Sequence, residues 1–214
     1  AEPRSAAHRG WRQGGLSVAI NGGLIVCPTQ MGAVLCVDPA TRSFVWVSEY
    51  PRTLAEHANG ELYRWLPVDG IPRVTANRVL LAPADVNRVM CLDASDGHSL
   101  WSRPLPPAGF FHVAGDRVLI VGRREITAHQ LADGSEVWRL STPPPAGLGV
   151  NDGKNFYLPR RDGFVGVIDL EHGRLTGSFE LPGGARPGNL IRIQGGILSQ
   201  GLEDLAWRPD ATEP

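Results

Sequence analysis

The sequence predicts an all-β fold, a β-propeller of four-stranded antiparallel blades, from two observations. A motif of an apolar run, an aspartate, a glycine four residues later and a tryptophan after four more recurs along the chain, and "VMCLDASDGHSLW" at 89–101 is its clearest copy. Two further apolar segments, joined by a short polar turn, precede each copy. Repeated four-stranded units are typical of propeller blades, which bury their faces by stacking on one another.

The motif recurs with a period that predicts a repeat architecture. Its copies cover 34–46, 89–101, 126–138 and 165–177. When the four copies are aligned, the position of the aspartate recurs at intervals of 55, 37 and 39 residues. Two intervals agree near 38, so the first contains an insertion. The aspartate, glycine and tryptophan columns contain, in chain order, Asp38, Asp93, Gln130 and Asp169; Arg42, Gly97, Gly134 and Gly173; and Trp46, Trp101, Trp138 and Gly177.

Each motif position has a structural reason. Aspartate side chains cap backbone N–H groups in turns, and glycine accepts a positive φ, so Asp-x-x-x-Gly predicts the turn between two strands. We therefore interpret Asp38, Asp93 and Asp169 as turn caps rather than catalytic or metal-binding groups. A tryptophan buries about 150–250 Å², worth about 4–6 kcal/mol before entropy is subtracted. One tryptophan per unit is expected to join each blade to its neighbour.

The apolar segments upstream of each motif set the expected blade boundaries. These segments show the strand, polar turn, strand pattern of a hairpin, with turns such as "NGG" and "NDGK". The predicted organisation is a lead-in at 1–16, a propeller segment at 17–208 with blades at 17–50, 72–105, 110–141 and 147–181 and a partial blade at 188–208, an insertion at 51–71, and a linker at 209–214.

Composition excludes several classes of partner. The 214 residues carry a net charge of -1, so no field of the whole protein favours nucleic acid or an anionic membrane. No apolar stretch reaches the ~18 residues that a membrane-spanning helix requires. No signal peptide is visible in "AEPRSAAHRG". Binding to nucleic acid and a membrane span are therefore not expected.

The remaining chemistry-bearing residues favour structural roles. Cys27, Cys36 and Cys91 lack metal-type spacing and are expected as buried thiols, and a cross-strand disulfide between Cys27 and Cys36 stays open as an alternative. The six histidines show no metal-ligand pattern, and His129 is expected as a satisfied core or rim histidine. Two arginine pairs, in "GRRE" at 122–125 and "PRRDG" at 159–163, lie in equivalent loops. They are either solvated loop charges or a site for an anionic ligand.

The insertion carries the strongest indication of a partner. Its sequence includes Tyr63, Arg64 and Trp65, an aromatic-basic cluster of the kind that is enriched in binding hot spots. Long loops on rigid scaffolds often carry function. We hypothesise that these three residues contact a partner domain or chain, and the alternative is that they pack over the propeller rim.

The motif resembles the blade repeat of pyrroloquinoline-quinone (PQQ)-like propellers, often written A-L-D-x-x-T-G-x-x-x-W. The resemblance covers about 17–208 and is specific in "MCLDASDGHSLW" and "AHQLADGSEVW". It is weaker at 165–177, where the tryptophan is lost, and at 39–46, where the glycine is lost. The family implied is the quinoprotein alcohol dehydrogenase-like superfamily, which includes non-enzymatic, BamB-like members.

The resemblance implies a ring and a role. Such proteins usually close seven or eight blades, so this chain is expected to be part of a larger ring, or else a small ligand-binding propeller. The calcium site, acid base and adjacent cysteine pair of the quinone dehydrogenases have no counterpart here residue by residue, and no cofactor or metal is expected. We predict a non-enzymatic interaction scaffold that binds a protein partner or the remaining domains of a longer chain. The expectation that the protein is exported rests on the resemblance alone. The alternative is a fragment of a quinone- and calcium-dependent dehydrogenase.

Overall fold

The structure, a computed structural model, describes residues 17–29, 31–51, 71–75, 77–83 and 86–210. These residues form five antiparallel sheets that follow one another along the chain, the first four with four strands each and the fifth with three. Every sheet runs in simple up-and-down order, with each strand paired to the next. The predicted propeller fold of four-stranded blades is confirmed.

The first three sheets contain the strands with the clearest motif copies. Sheet 1 comprises β1 (Ala19–Asn21), β2 (Leu24–Pro28), β3 (Ala33–Asp38) and β4 (Ser43–Glu49). Sheet 2 comprises β5 (Arg73–Val74), β6 (Arg78–Leu81), β7 (Arg88–Asp93) and β8 (Ser99–Pro104). Sheet 3 comprises β9 (Phe110–Ala114), β10 (Arg117–Val121), β11 (Glu125–Gln130) and β12 (Glu136–Ser141).

The last two sheets complete the described chain. Sheet 4 comprises β13 (Val150–Asn151), β14 (Asn155–Pro159), β15 (Phe164–Asp169) and β16 (Arg174–Glu180). A short 3-10 turn, Pro182–Gly184, precedes sheet 5 with β17 (Asn189–Ile193), β18 (Gly196–Gln200) and β19 (Leu205–Pro209). Because β19 ends at Pro209, the first residue of the predicted linker belongs to a strand.

A β-bulge recurs between the third and fourth strands of every four-stranded sheet. The register shifts between Cys36 and Val37, Cys91 and Leu92, Ala128 and His129, and Val167 and Ile168. A bulge inserts one extra residue, increases the local twist and re-aims the following side chains. In the first three sheets, the residue after the extra one is the motif tryptophan.

The hydrophobic core lies between the sheets rather than within one of them. Four clusters of buried side chains each join two consecutive sheets: sheets 1 and 2, 2 and 3, 3 and 4, and 4 and 5. The cluster between sheets 2 and 3 includes Leu80, Cys91 and Phe111, each almost wholly buried. Among the described residues, no such cluster joins sheet 5 to sheet 1.

The cysteines are free thiols in these strands. In the pairing of β2 with β3, Cys27 lies opposite Leu35 and Cys36 lies opposite Val26. Because cross-strand partners share a face and neighbours along a strand alternate, Cys27 and Cys36 point to opposite faces of sheet 1. The disulfide alternative is therefore wrong for this structure. Burial raises the pKa of all three thiols, that of Cys91 to about 12.

Candidate functional site

The motif tryptophans join consecutive sheets. The indole Nε1–H of Trp46 donates to the Ala94 carbonyl of sheet 2 at 3.0 Å, and that of Trp101 donates to the Leu131 carbonyl of sheet 3 at 3.0 Å. Trp138 repeats the contact with Leu170 of sheet 4 at 2.9 Å. Each donor lies on the fourth strand of one sheet, and each acceptor lies in the turn after the third strand of the next.

The motif glycines receive the tryptophan rings. Gly97, Gly134 and Gly173 have φ angles of 74°, 71° and 65°, which only glycine adopts freely. A Cβ atom at any of them would lie under 3.0 Å from the ring of the tryptophan on the preceding sheet. Glycine is thus required twice, for the turn and for the close approach of the indole.

The motif aspartates lie in the same turns. The Oδ1 atoms of Asp38, Asp93 and Asp169 accept hydrogen bonds from the backbone N–H groups two residues ahead, at 2.8, 2.9 and 2.8 Å. Hydrogen bonds lower the pKa of all three carboxyls. The main donors are Thr41 for Asp38, Ser95 for Asp93 and His172 for Asp169. The carboxylates are therefore ionised acceptors that are engaged by their own turns.

Two departures from the motif have local consequences. Arg42 stands in the glycine column and adopts a φ of 56°, a conformation that is uncommon for a residue with a side chain. Gly177 stands in the tryptophan column, and nothing lies within 4 Å of the position a Cβ would take. Sheets 4 and 5 are therefore joined without an indole of the motif.

Two histidines are held inside the sheets. His129 is buried, with Nδ1 3.0 Å from the Gly134 carbonyl and Nε2 3.0 Å from the Thr127 hydroxyl, and desolvation lowers its pKa. The side-chain amide of Asn151 donates to Nε2 of His112 at 2.7 Å. Burial, together with the charge of Arg73, lowers the pKa of His112 to about 4. The sequence did not indicate the His112–Asn151 pair because its partners belong to different blades.

The two arginine loops lie at the end of the sheets opposite to the aspartate turns. Antiparallel order places the second-to-third-strand loops and the connections between sheets at one end, and the first-to-second and third-to-fourth-strand turns at the other. Arg123 and Arg124 are exposed in the loop of sheet 3, and Arg161 is exposed in the loop of sheet 4. Arg160 forms an ion pair with Asp162, so its guanidinium is less available to a ligand than those of the other three arginines.

Sheets 1 and 5 each have an apolar face that their neighbours leave uncovered. On sheet 1, cross-strand pairing places Ile20, Ile25, Val37 and Phe44 on the face away from sheet 2, and Ile20 and Phe44 are 72% and 67% exposed. On sheet 5, the face away from sheet 4 carries the exposed side chains of Ile191, Ile193, Leu205 and Trp207. The sequence did not reveal these faces, because the same pattern is buried in the other sheets.

Comparison with known proteins places this geometry in a family. The family model described as outer membrane protein assembly factor BamB matches residues 30–196, most of the chain. The chain belongs to the BamB-like family of PQQ-like repeat proteins. The family that the motif indicated is thereby confirmed. No curated protein matches the sequence.

Solved structures share the fold of this BamB-like chain at low identity. The structure of BamB from Moraxella catarrhalis superposes with a TM-score of 0.63 at 14% identity, over 86% of this chain and 54% of that one. The quinohemoprotein alcohol dehydrogenase from Comamonas testosteroni gives a TM-score of 0.57 at 13% identity, over 86% of this chain and 40% of that one. The BamB-like chain thus spans about half the length of the first protein.

Three of the residues proposed from sequence lie outside the described part of this BamB-like chain: Tyr63, Arg64 and Trp65. Their contact with a partner stays a prediction. Within the described residues, no helix is long and apolar enough to traverse a bilayer. The same residues contain no group of three or more His, Cys, Asp or Glu side chains that could hold a metal ion.

Proposed function

We propose that this chain is a non-enzymatic PQQ-like β-propeller domain that serves as a protein-interaction scaffold. The observation that carries the proposal is the pair of exposed apolar faces on sheets 1 and 5. Extended apolar faces of this kind mark surfaces that other protein covers. We infer that further sheets of the same repeat, from a longer chain or a partner, cover them.

The internal repeat supports this inference. Ile25, Leu35 and Val37 of sheet 1 hold the strand positions that Val79, Met90 and Leu92 hold in sheet 2. The sheet 2 residues are buried against sheet 1, whereas the three in sheet 1 remain partly exposed. The sheet 1 face therefore has the composition of a blade interface without the neighbouring blade. BamB from Moraxella catarrhalis, of which this chain covers 54%, has additional length that could supply such blades in a protein of this kind.

The competing function is that of a fragment of a quinone- and calcium-dependent dehydrogenase. The fold similarity to a quinohemoprotein alcohol dehydrogenase favours it as the second candidate. The repeat aspartates, however, accept hydrogen bonds from their own turns, and the motif tryptophans are committed to blade contacts. These side chains would have to leave structural roles to bind a cofactor, so we favour the scaffold. A small ligand-binding propeller is the third candidate function.

Two measurements test the scaffold against the enzyme. The full-length parent protein, incubated with pyrroloquinoline quinone and calcium, is expected to bind neither in stoichiometric amount and to oxidise no alcohol in a dye-linked assay. A photo-cross-linking residue at Phe44 or Trp207 is expected to form cross-links to other protein or to further blades in cells. The same residue at the exposed Leu175, away from both faces, should form few. Stoichiometric quinone with alcohol oxidation would contradict the scaffold.

A further inference from the structure

The structure brings the two arginine loops against one short connection. The segment 142–146 leads from sheet 3 to sheet 4. The Thr142 N–H donates to the Arg124 carbonyl at 2.9 Å, and the Arg161 N–H donates to the Pro144 carbonyl at 2.9 Å. The Arg161 Nε–H also donates to the Pro145 carbonyl at 3.3 Å. Loops that are separated in sequence by more than one strand therefore flank the same proline segment.

Arg123 and Arg124 are available to a ligand. Both side chains are exposed, and neither guanidinium forms a hydrogen bond or ion pair with another described residue. Arg161 is exposed and keeps most of its donors free, because its one side-chain bond uses Nε. Guanidinium groups offer planar forks of donors that match carboxylates in geometry.

A pocket lies beside Arg124. It is open to solvent and lined by Arg124, Ser141, Thr142, Pro143 and Pro144. Within the described residues, the Thr142 hydroxyl is buried and has no hydrogen-bond partner. A carboxylate in this pocket would meet the guanidinium of Arg124 beside the exposed residue Ser141.

We propose that this surface, defined by Arg123, Arg124 and Arg161 around the 142–146 connection, binds an acidic protein segment. The proposal rests on the scaffold role and names the chemistry of one partner. The carboxylate of one acidic side chain occupies the Arg124 pocket, and neighbouring carboxylates pair with Arg123 and Arg161. The prolines form a rigid floor, so the connection itself loses little conformational entropy on binding.

The distribution of charge favours one end of the sheets for an acidic segment. The opposite end of the sheets carries more acidic than basic turn residues: Asp38, Asp93, Asp96, Asp116, Asp133, Asp152 and Asp169 beside Arg42, Lys154 and Arg174. The arginine end carries Asp162, Glu203 and Asp204 beside its arginines. An acidic partner is therefore expected to favour the arginine end over the aspartate end, although the net charge is only -1. Segregation of this kind is invisible in the overall composition.

A protein segment fits this surface better than a lipid bilayer. Peripheral membrane binding combines basic residues with apolar side chains that enter the headgroup region. The most exposed apolar residue at this end, Leu202, lies in the loop of sheet 5 rather than in either arginine loop. The arginine loops themselves carry no exposed apolar side chain among the described residues.

A labelled twelve-residue polyglutamate peptide tests the proposal by fluorescence anisotropy at low and physiological salt. The R124Q/R161Q variant is expected to weaken binding at least tenfold. The control variant K154Q/R174Q removes the same charge from the opposite end of the sheets and should change binding less than twofold. Unfolding curves of both variants check that they fold.

Three outcomes would overturn the proposal. The wild-type chain could fail to bind the peptide, or both variants could lose affinity equally. Vesicles that contain phosphatidylglycerol could bind with the same arginine dependence when the peptide does not, which would assign the surface to lipid headgroups. Each outcome is separate from the quinone and calcium test, so the scaffold role can stand when this surface fails, and the reverse also holds.

Discussion

At the residue scale, the indole-to-glycine contact determines how one blade meets the next. Trp101 combines a hydrogen bond to the Leu131 carbonyl with ring contact at Gly134, and the Trp46 and Trp138 contacts follow the same plan. The hydrogen bond satisfies a carbonyl in the turn, while the ring covers the glycine. A single side chain thus fixes both the position and the orientation of the neighbouring turn.

We expect Gly134→Ala to lower the free energy of unfolding by about 2–4 kcal/mol, because a Cβ there adds overpacking to backbone strain. The matched control is Gly115→Ala in the same sheet, where φ is 61° and no atom lies within 4 Å of the Cβ position. The control should lose only about 1–2 kcal/mol, from backbone strain alone. Urea unfolding measures both, and equal losses would remove the role assigned to the Trp101 contact.

The half-buried His112 predicts that the stability of the protein depends on pH in the acid range. Its folded pKa is about 4, below the unfolded value of about 6.5, so the unfolded chain binds more protons between these values. This contribution to stability is present above pH 6.5 and is lost as the pH falls towards 4, at up to about 1.4 kcal/mol per pH unit. His112→Gln should flatten this part of the profile, measured by urea unfolding at several pH values.

The control for this prediction is Leu119→Val, at a buried residue of the same sheet whose side chain does not titrate. It should lower the stability without changing the slope of the profile between pH 4 and 6.5. Parallel profiles for the wild type and His112→Gln would show that His112 is not the titrating group.

At the element scale, the recurring bulge explains several exposed apolar residues. In the register of the third and fourth strands, Val45, Leu100, Val137 and Thr176 are the extra residues without a cross-strand partner. Val45, Leu100 and Val137 are accordingly exposed. The bulge lets the following tryptophan face the next sheet, so these exposed residues reflect strand geometry rather than a binding surface.

The backbone amides of sheet 5 are expected to be less protected from hydrogen exchange than those of sheet 3. Its junction with sheet 4 lacks the motif tryptophan, because Gly177 occupies that position. Hydrogen exchange measured by mass spectrometry should show faster exchange in β17, β18 and β19 than in β9, β10 and β11, whose neighbours on both sides are fixed by Trp101 and Trp138. Equal protection would mean that the apolar cluster between sheets 4 and 5 holds the junction without the indole.

At the scale of the whole molecule, we expect the two uncovered apolar faces to govern association in solution. They belong to sheets 1 and 5, which each have a neighbouring sheet on one side only among the described residues. Exposed apolar faces of this size drive association when no partner covers them. The isolated chain therefore presents two surfaces that are suited to further blades.

We expect the isolated chain to self-associate with rising concentration in sedimentation velocity experiments. The I20T/F44T variant should reduce this association because it makes the sheet 1 face polar. The V137T/L175T variant changes two exposed apolar residues on outer strands, away from both faces, and should leave the association unchanged. If the two variants behave alike, general surface hydrophobicity accounts for the association.

The sequence by itself determined the repeat, the strand order and the family. Local chemistry was sufficient, since an aspartate, a glycine and a tryptophan at fixed spacing define a turn and a blade contact without reference to distant residues. The fifth unit was also predicted, as a partial blade at 188–208, and β17, β18 and β19 together span 189–209.

Only the tertiary structure decided which chemically ordinary residues come together. Whether Cys27 and Cys36 point to the same face of sheet 1 depends on the strand register, because a one-residue slip moves side chains to the other face. The His112–Asn151 pair and the arrangement of Arg124 and Arg161 around one connection join residues from different blades. The uncovered faces of sheets 1 and 5 have the same local pattern as buried faces. Burial is a property of the neighbouring sheet, so no local signal in the sequence distinguishes them.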